Sequence, residues 1–111
     1  MVTKQLIGDT IGELSVVRHN STVVISAKDD MFRPYGIVIL DLITGSLSGM
    51  LVEEQYRHKG VMAVLLGEAE RIAREAGLDR IQASTHPDNH IVIDMLDNLG
   101  YFRLTTMEKR I

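Results

Sequence analysis

The sequence predicts an α/β fold: a mixed, mostly antiparallel sheet with a central β-α-β-α-β unit. Three observations carry this. Val61 to Ala76 has apolar residues at helical spacing, and so does the shorter run from Asn89 or His90 to Leu99. Ser21 to Ala27, Tyr35 to Ile43 and Arg80 to Thr85 are short apolar runs bounded by turn residues, as strands are. With 111 residues, 45% hydrophobic and 24% charged, the chain has the composition of one globular domain, residues 1–111, around one core.

The first twenty residues admit two readings. Thr10-Ile11-Gly12-Glu13 has the form of a capping box, and Ile7, Ile11, Leu14 and Val17 share a helical face. Gly8, Gly12 and the Val16-Val17 pair weaken that helix, and a strand over Leu14 to Arg18, pairing with Val23 to Ala27, competes with it. Ser21 to Ala27 then holds Val23, Val24 and Ile25, and Tyr35 to Ile43 is apolar nearly throughout. Ser46 to Val52 alternates more weakly and is expected as the next strand, with Asp29 to Pro34 a loop and Thr44-Gly45-Ser46 a hairpin turn.

In the long helix Val61, Met62, Leu65, Leu66, Ala69, Ile72, Ala73 and Ala76 fall on one face, and Gly77 sits where a left-handed cap belongs. Arg80 to Thr85 reads as a buried strand. In the second helix Ile91, Val92, Met95, Leu96 and Leu99 share a face, Asp88 or Asn89 caps the start, and Gly100 ends it. Tyr101 to Leu104 and Met107 to Ile111 close the chain as a hairpin around Thr105-Thr106. The strand–helix–strand step at the centre is expected to be a right-handed parallel crossover.

Charge and composition exclude several functions. Twelve Lys and Arg against 15 Asp and Glu leave a net charge of -3, without the basic surplus of a nucleic-acid coat. The chain has no Cys, so disulfides, zinc ribbons and thiol nucleophiles are excluded together; no metal site is expected, and a reducing cytoplasm fits. Met1 to Thr10 carries Lys4, Gln5 and Asp9 and is no signal peptide. The longest apolar stretch, Gly36 to Leu40, falls far short of the roughly 20 residues of a membrane span. A cytoplasmic domain bound to neither nucleic acid nor membrane is the expectation.

Chemistry concentrates between the Ser46 to Val52 strand and the long helix. Glu53-Glu54-Gln55-Tyr56-Arg57-His58-Lys59-Gly60 joins them. Free amides at a helix N-terminus bind anions, aided by the dipole. Arg57, His58 and Lys59 add cationic character, and Gly60 lets a phosphate approach the backbone. A solvated basic turn with glycine at a tight corner is the competing explanation. No G-x-x-x-x-G-K-[ST] loop occurs, so a nucleoside-triphosphate site is not expected.

These residues resemble the GNAT superfamily of acyl-CoA-dependent N-acetyltransferases, whose R/Q-x-x-G-x-G/A loop follows the fourth strand. Arg57 and Gly60 match that loop; Met62 departs from it. A second signature, N-x-x-A-x-x-x-Y-x-x-x-G-F, falls without a gap on Asn89, Val92, Leu96, Gly100 and Tyr101, with Val92 in place of Ala and Leu96 in place of the frequent Tyr. The resemblance covers about Gly36 to Ile111.

The resemblance implies acetyl-CoA as cosubstrate and no metal. The pyrophosphate would sit on the amides of His58, Lys59, Gly60, Val61 and Met62, assisted by Arg57 and Lys59. The pantetheine arm would lie as a pseudo-strand beside Leu51 and Val52, hydrogen-bonded by Asn89, in a splay between the Ser46 to Val52 and Arg80 to Thr85 strands. Leu96 would face the thioester sulfur. An amine would attack the thioester, with a backbone N–H near Met50 to Val52 as oxyanion donor. Glu53 and Glu54 are the candidate bases, with His86 and His90 behind them. The two helices usual in the family before its second strand are not visible in the first 35 residues, so a second subunit is expected to supply the acceptor wall, making a homodimer. Leu96 keeps open a second function, a non-catalytic acyl-CoA-binding sensor or regulatory module.

Overall fold

A computed structural model describes residues 4–83, 89–103 and 107–111. The chain runs β1 (Gln5–Ile7), β2 (Thr10–His19), β3 (Thr22–Lys28), β4 (Pro34–Asp41), β5 (Ser46–Val52), a 3-10 turn (Glu54–Tyr56), α1 (Val61–Glu75), β6 (Arg80–Ala83), α2 (His90–Asn98), β7 (Phe102–Arg103) and β8 (Met107–Arg110). The strands form one sheet in the order β1-β2-β3-β4-β5-β6-β8-β7. Among the described residues β5 and β6 are the parallel pair, and the other pairs are antiparallel. The mixed, mostly antiparallel α/β sheet is the one the sequence predicts.

The ambiguous start resolves as strand, not helix. β2 pairs Leu14 with Ala27 and Arg18 with Val23, the strand register the sequence allowed. Thr10 caps nothing: its hydroxyl donates to Ile7 O at 2.7 Å and bonds the Tyr35 hydroxyl at 2.9 Å. The supposed helical face is split, with Ile7 fully buried and Ile11 and Val17 68% and 57% exposed. Pairing with β3 satisfies a whole row of backbone groups, which a glycine-interrupted helix with a Val-Val pair cannot match. β1 was not foreseen, because three residues are too few to display a period.

Most other boundaries agree with the sequence to within a residue or two. β4 stops at Asp41 rather than Ile43. The Asp41 carboxylate accepts from the Ile43 and Thr44 amides at 2.7 and 3.3 Å, and this turn leaves Ile43 exposed. α1 ends at Glu75 with Ala76 as its C-cap, and Gly77 is left-handed at φ 89°. Asn89 caps α2, its side chain accepting from the Val92 amide at 3.3 Å. β7 and β8 form the closing antiparallel pair. Ser84, Thr85, Asp88, Thr105 and Thr106 lie outside the described residues.

The core lies between α1 and one face of the sheet. Val23, Ile25 and Ala27 of β3 and Val38 and Leu40 of β4 meet Leu65, Leu66 and Ala69 of α1. Each buried Val, Leu or Ile among them contributes about 1.5–3 kcal/mol. The helix approaches closely at Gly36, where a Cβ would lie 3.0 Å from Val61 Cγ1 and 3.1 Å from Leu65 Cδ1. α1 is also tied to β8. Lys109 Nζ lies 2.8 Å from Glu70 Oε1 and 5.7 Å from the centroid of the Tyr101 ring. Burial first, and the Glu70 charge second, push the Tyr101 phenol above its usual range.

The opposite sheet face is different. Cross-strand pairs place Val17 beside Val24, Val24 beside Ile39, and Ile37 beside Leu51. None of these five belongs to the core cluster, and Val17 and Leu51 are 57% and 58% exposed. The Cα extents, 39 × 31 × 17 Å, leave a thin third dimension, enough for one sheet layer and one helix layer. Among the described residues no helix is long and apolar enough to cross a membrane.

Candidate functional site

A bulge opens the sheet. Ile39 faces Gly49 but Leu40 faces Leu47, so Ser48 is an extra residue in β5. Such an insertion bends and twists the strand that carries it. Among the described residues β5 and β6 pair at Ser46–Gln82 and Leu47–Ala83. Beyond the bulge β5 follows β4, and among the described residues its other edge has no strand partner.

Backbone direction on that edge follows from one hydrogen bond. The Glu53 amide donates to Tyr35 O at 2.9 Å, toward β4. Groups alternate along a strand, so Leu51 also faces β4, while the amides of Met50 and Val52 face the open edge. The Val52 carbonyl on that edge accepts from Arg57 Nε at 2.9 Å.

A cleft of about 340 Å³ lies along this edge. Met50, Leu51 and Val52 form one wall. Tyr56, Arg57 and His58 form the end, with Val61 and Met62 from the first turn of α1. Asn89, Ile91, Val92 and Met95 close it from α2. The Tyr56 ring stacks on Tyr35 with centroids 4.1 Å apart at 20°, which gives the loop a firm base.

The loop presents backbone donors. His58 and Gly60 are left-handed, at φ 62° and 77°. Gly60 is the N-cap of α1 and supplies no capping side chain. The first bond into the helix runs from the Val64 amide to Gly60 O at 3.3 Å. The amides of Val61, Met62 and Ala63 therefore have no partner within the helix. A helix start with orphan amides, a neighbouring guanidinium and a glycine cap suits a phosphate.

The structure brings Leu51, Val52, Arg57, His58, Val61, Met62 and Asn89 together around the cleft. Lys59 and Gly60 are exposed on the loop beside it. Glu53 and Glu54 are exposed and do not line it; the Glu53 carboxylate accepts from Gln55 Nε2 at 3.1 Å. His90 is exposed at the start of α2, and His86 lies outside the described residues. Leu96 is not brought to the cleft. It is 0% exposed in the core, and Val92 and Met95 are the α2 residues at the cleft. A helix turns about 100° per residue, so the stripe through Asn89 and Val92 has two continuations, Met95 and Leu96. Packing sends Leu96 inward. Sequence reasoning brought Met50 here only through the Met50 to Val52 oxyanion range, and did not place Tyr56, Ile91 or Met95 along the cleft. Met50 and Tyr56 flank the motif and were within reach; Ile91, at 76% exposure, carried no signal.

A sequence model of the acetyltransferase (GNAT) family matches residues 12–101. A search of curated protein sequences returned no match. Several solved structures are similar in fold. A GNAT-family acetyltransferase from Staphylococcus aureus superposes with a TM-score of 0.73 at 17% identity, covering 81% of this chain and 68% of that one. The GNAT domain of PAT from S. lividans gives 0.76 at 22% identity, covering 86% and 65%. The PaiA N-acetyltransferase from Thermoplasma acidophilum, solved in complex with coenzyme A, gives 0.71 at 21% identity, covering 82% and 62%. The chain thus spans about two thirds of the length of these proteins.

Proposed function

The chain belongs to the GNAT family of acetyltransferases, and we propose from this that it transfers an acetyl group from acetyl-CoA to an amine, acting as a single cytoplasmic domain over residues 1–111. The observation that carries the proposal is the bulge at Ser48. It turns the Met50 and Val52 amides to an open edge that leads to the orphan amides of α1. A peptide-like pantetheine arm pairs with that edge as an added strand, and its pyrophosphate sits at His58 to Met62. Lys59 and Gly60 serve the phosphates from the loop, and the Asn89 side-chain amide serves the arm. That the T. acidophilum protein was solved with coenzyme A supports coenzyme A as the ligand.

In this reading the neutral amine attacks the thioester carbonyl. A C–N bond forms, negative charge collects on the carbonyl oxygen, and the Met50 amide donates to it. The C–S bond then breaks, the thiolate leaves and takes a proton, and the amine nitrogen loses one to water or a base. Thiolate, with a parent pKa of about 8.5, leaves without obligatory acid assistance. Glu53 or Glu54 acts as that base only through water, since both lie outside the lining. A second copy of the chain supplies the acceptor wall, covering the apolar face around Val17, Val24, Ile37, Ile39 and Leu51.

One observation favours a second reading, a non-catalytic acyl-CoA-binding module. Among the described lining residues the titratable ones are Tyr56, Arg57 and His58, with no carboxylate. Two measurements separate the readings. Acetyl-CoA at about 100 times its dissociation constant is expected to stabilise the fold by roughly 2.7 kcal/mol in a melting experiment. CoA release with a panel of amines is expected above the hydrolysis background. An unchanged melting curve at millimolar acetyl-CoA removes both readings; binding without release leaves the module.

A further inference from the structure

The N-terminal hairpin reaches the Arg57–Gly60 loop through a backbone hydrogen bond. Gly8 and Asp9 form the two-residue turn between β1 and β2, with Ile7 paired to Thr10. Gly8 has φ 62°, whereas Asp9 is not left-handed, as a hairpin turn with glycine in its first central position requires. The turn is held from behind by the fully buried Ile7 and by the Thr10–Tyr35 hydroxyl contact. In front, the Asp9 amide donates to Lys59 O at 2.6 Å. A Cβ at Gly8 would fall 2.0 Å from Lys59 O and 2.7 Å from Gly60 C, so no other residue fits without displacing one backbone or the other.

Lys59 C=O and Gly60 N–H belong to one peptide unit. In a trans peptide they point in opposite directions. The Asp9 amide fixes the carbonyl on the hairpin side, so the Gly60 amide is turned away from the hairpin. We infer that the Gly8–Asp9 turn is a positioning device that sets the Lys59–Gly60 peptide for phosphate binding, with Gly8 its size-restricted element. The inference rests on the acyl-CoA reading of the loop and adds to it a segment outside the loop and helix. The Asp9 side chain has no part in it.

Three proteins test this: wild type, Asp9→Ala, which keeps the amide, and Gly8→Ala, which pushes the turn off Lys59. Titration calorimetry with CoA and steady-state KM with S-acetylpantetheine, which lacks the pyrophosphate, are read side by side, and circular dichroism checks the fold. Asp9→Ala is expected to bind CoA within about twofold of wild type. Gly8→Ala is expected to lose CoA affinity about tenfold or more while its KM for S-acetylpantetheine stays within twofold. Equal losses for both ligands would reduce the turn to general structural support and overturn the inference, as would unchanged CoA affinity in a folded Gly8→Ala. Asp9→Pro, which removes the donor without a side chain at position 8, stands in if Gly8→Ala does not fold. Hydrogen exchange of the Asp9 amide in the ligand-free protein reads the clamp separately: faster exchange in Gly8→Ala supports it, and equal rates overturn it. Should wild type fail to bind CoA, the acyl-CoA reading falls while this exchange measurement still decides the contact.

Discussion

Position 96 shows how much depends on one residue's direction. A tyrosine there at the cleft would place an acid near the thioester, but Leu96 is fully buried in the core. Leu96→Tyr is therefore expected to overpack the core, costing about 1–3 kcal/mol, with no faster acetyl transfer. A variant with an unchanged melting temperature and quicker CoA release would put position 96 back at the cleft. Gly60 is the opposite case. A Cβ there meets only Gly8 Cα, at 3.4 Å, so a side chain has room despite the left-handed φ of 77°. Gly60→Asp is expected to fold, at a cost of about 1 kcal/mol for the backbone conformation, and to lose CoA affinity at least tenfold as its carboxylate meets the phosphates. Calorimetric titration at wild-type affinity would move the phosphates elsewhere.

Among the elements, the α1–β8 contact is the most exposed to a single change. The Glu70 side chain is 11% exposed and held by Lys109. Lys109→Ala strands a mostly buried carboxylate and is expected to cost about 2 kcal/mol, seen as a lower urea midpoint at unchanged slope. The double change Glu70→Leu with Lys109→Met is expected to recover most of this, because it leaves no charge to desolvate. Tyr101 adds a pH dependence. Its folded pKa is raised above the unfolded value near 10, so the neutral phenol's contribution is complete below pH 10 and is lost as pH climbs beyond it. Urea midpoints between pH 8 and pH 11 check the sign. A flat profile would mean that Tyr101 is no more protected than an exposed phenol.

At the scale of the whole molecule, the proposed homodimer rests on the second, apolar face of the sheet. Val17, Val24, Ile37, Ile39 and Leu51 lie on a sheet face that no core residue reaches. Four strands about 4.8 Å apart and some seven residues long make a face of roughly 20 by 23 Å. The proposed homodimer is expected to appear by light scattering at micromolar concentration as a particle of twice the chain mass. Val17→Lys, on the exposed side of β2, is expected to give a monomer with an unchanged melting curve at low concentration. A single-chain mass for wild type would leave the cleft open on that side, suited to an acceptor presented by a larger protein.

Elements whose period is long enough to read are set by their residue pattern alone. α1, α2 and strands β3 to β5 were legible because burying one face imposes a spacing over many residues. The Arg57 to Met62 loop was legible because glycine and basic residues at a helix start carry their own chemistry. Three things were decided only by tertiary structure. β2 became a strand because β3 lay beside it to pair with; its local sequence left both conformations open. Leu96 went to the core and Met95 to the cleft because α2 has two equivalent apolar stripes until a neighbour chooses between them. The contact between Asp9 and Lys59 joins residues fifty positions apart through backbone atoms. No side-chain pattern encodes such a contact, and only the docking of the hairpin creates it.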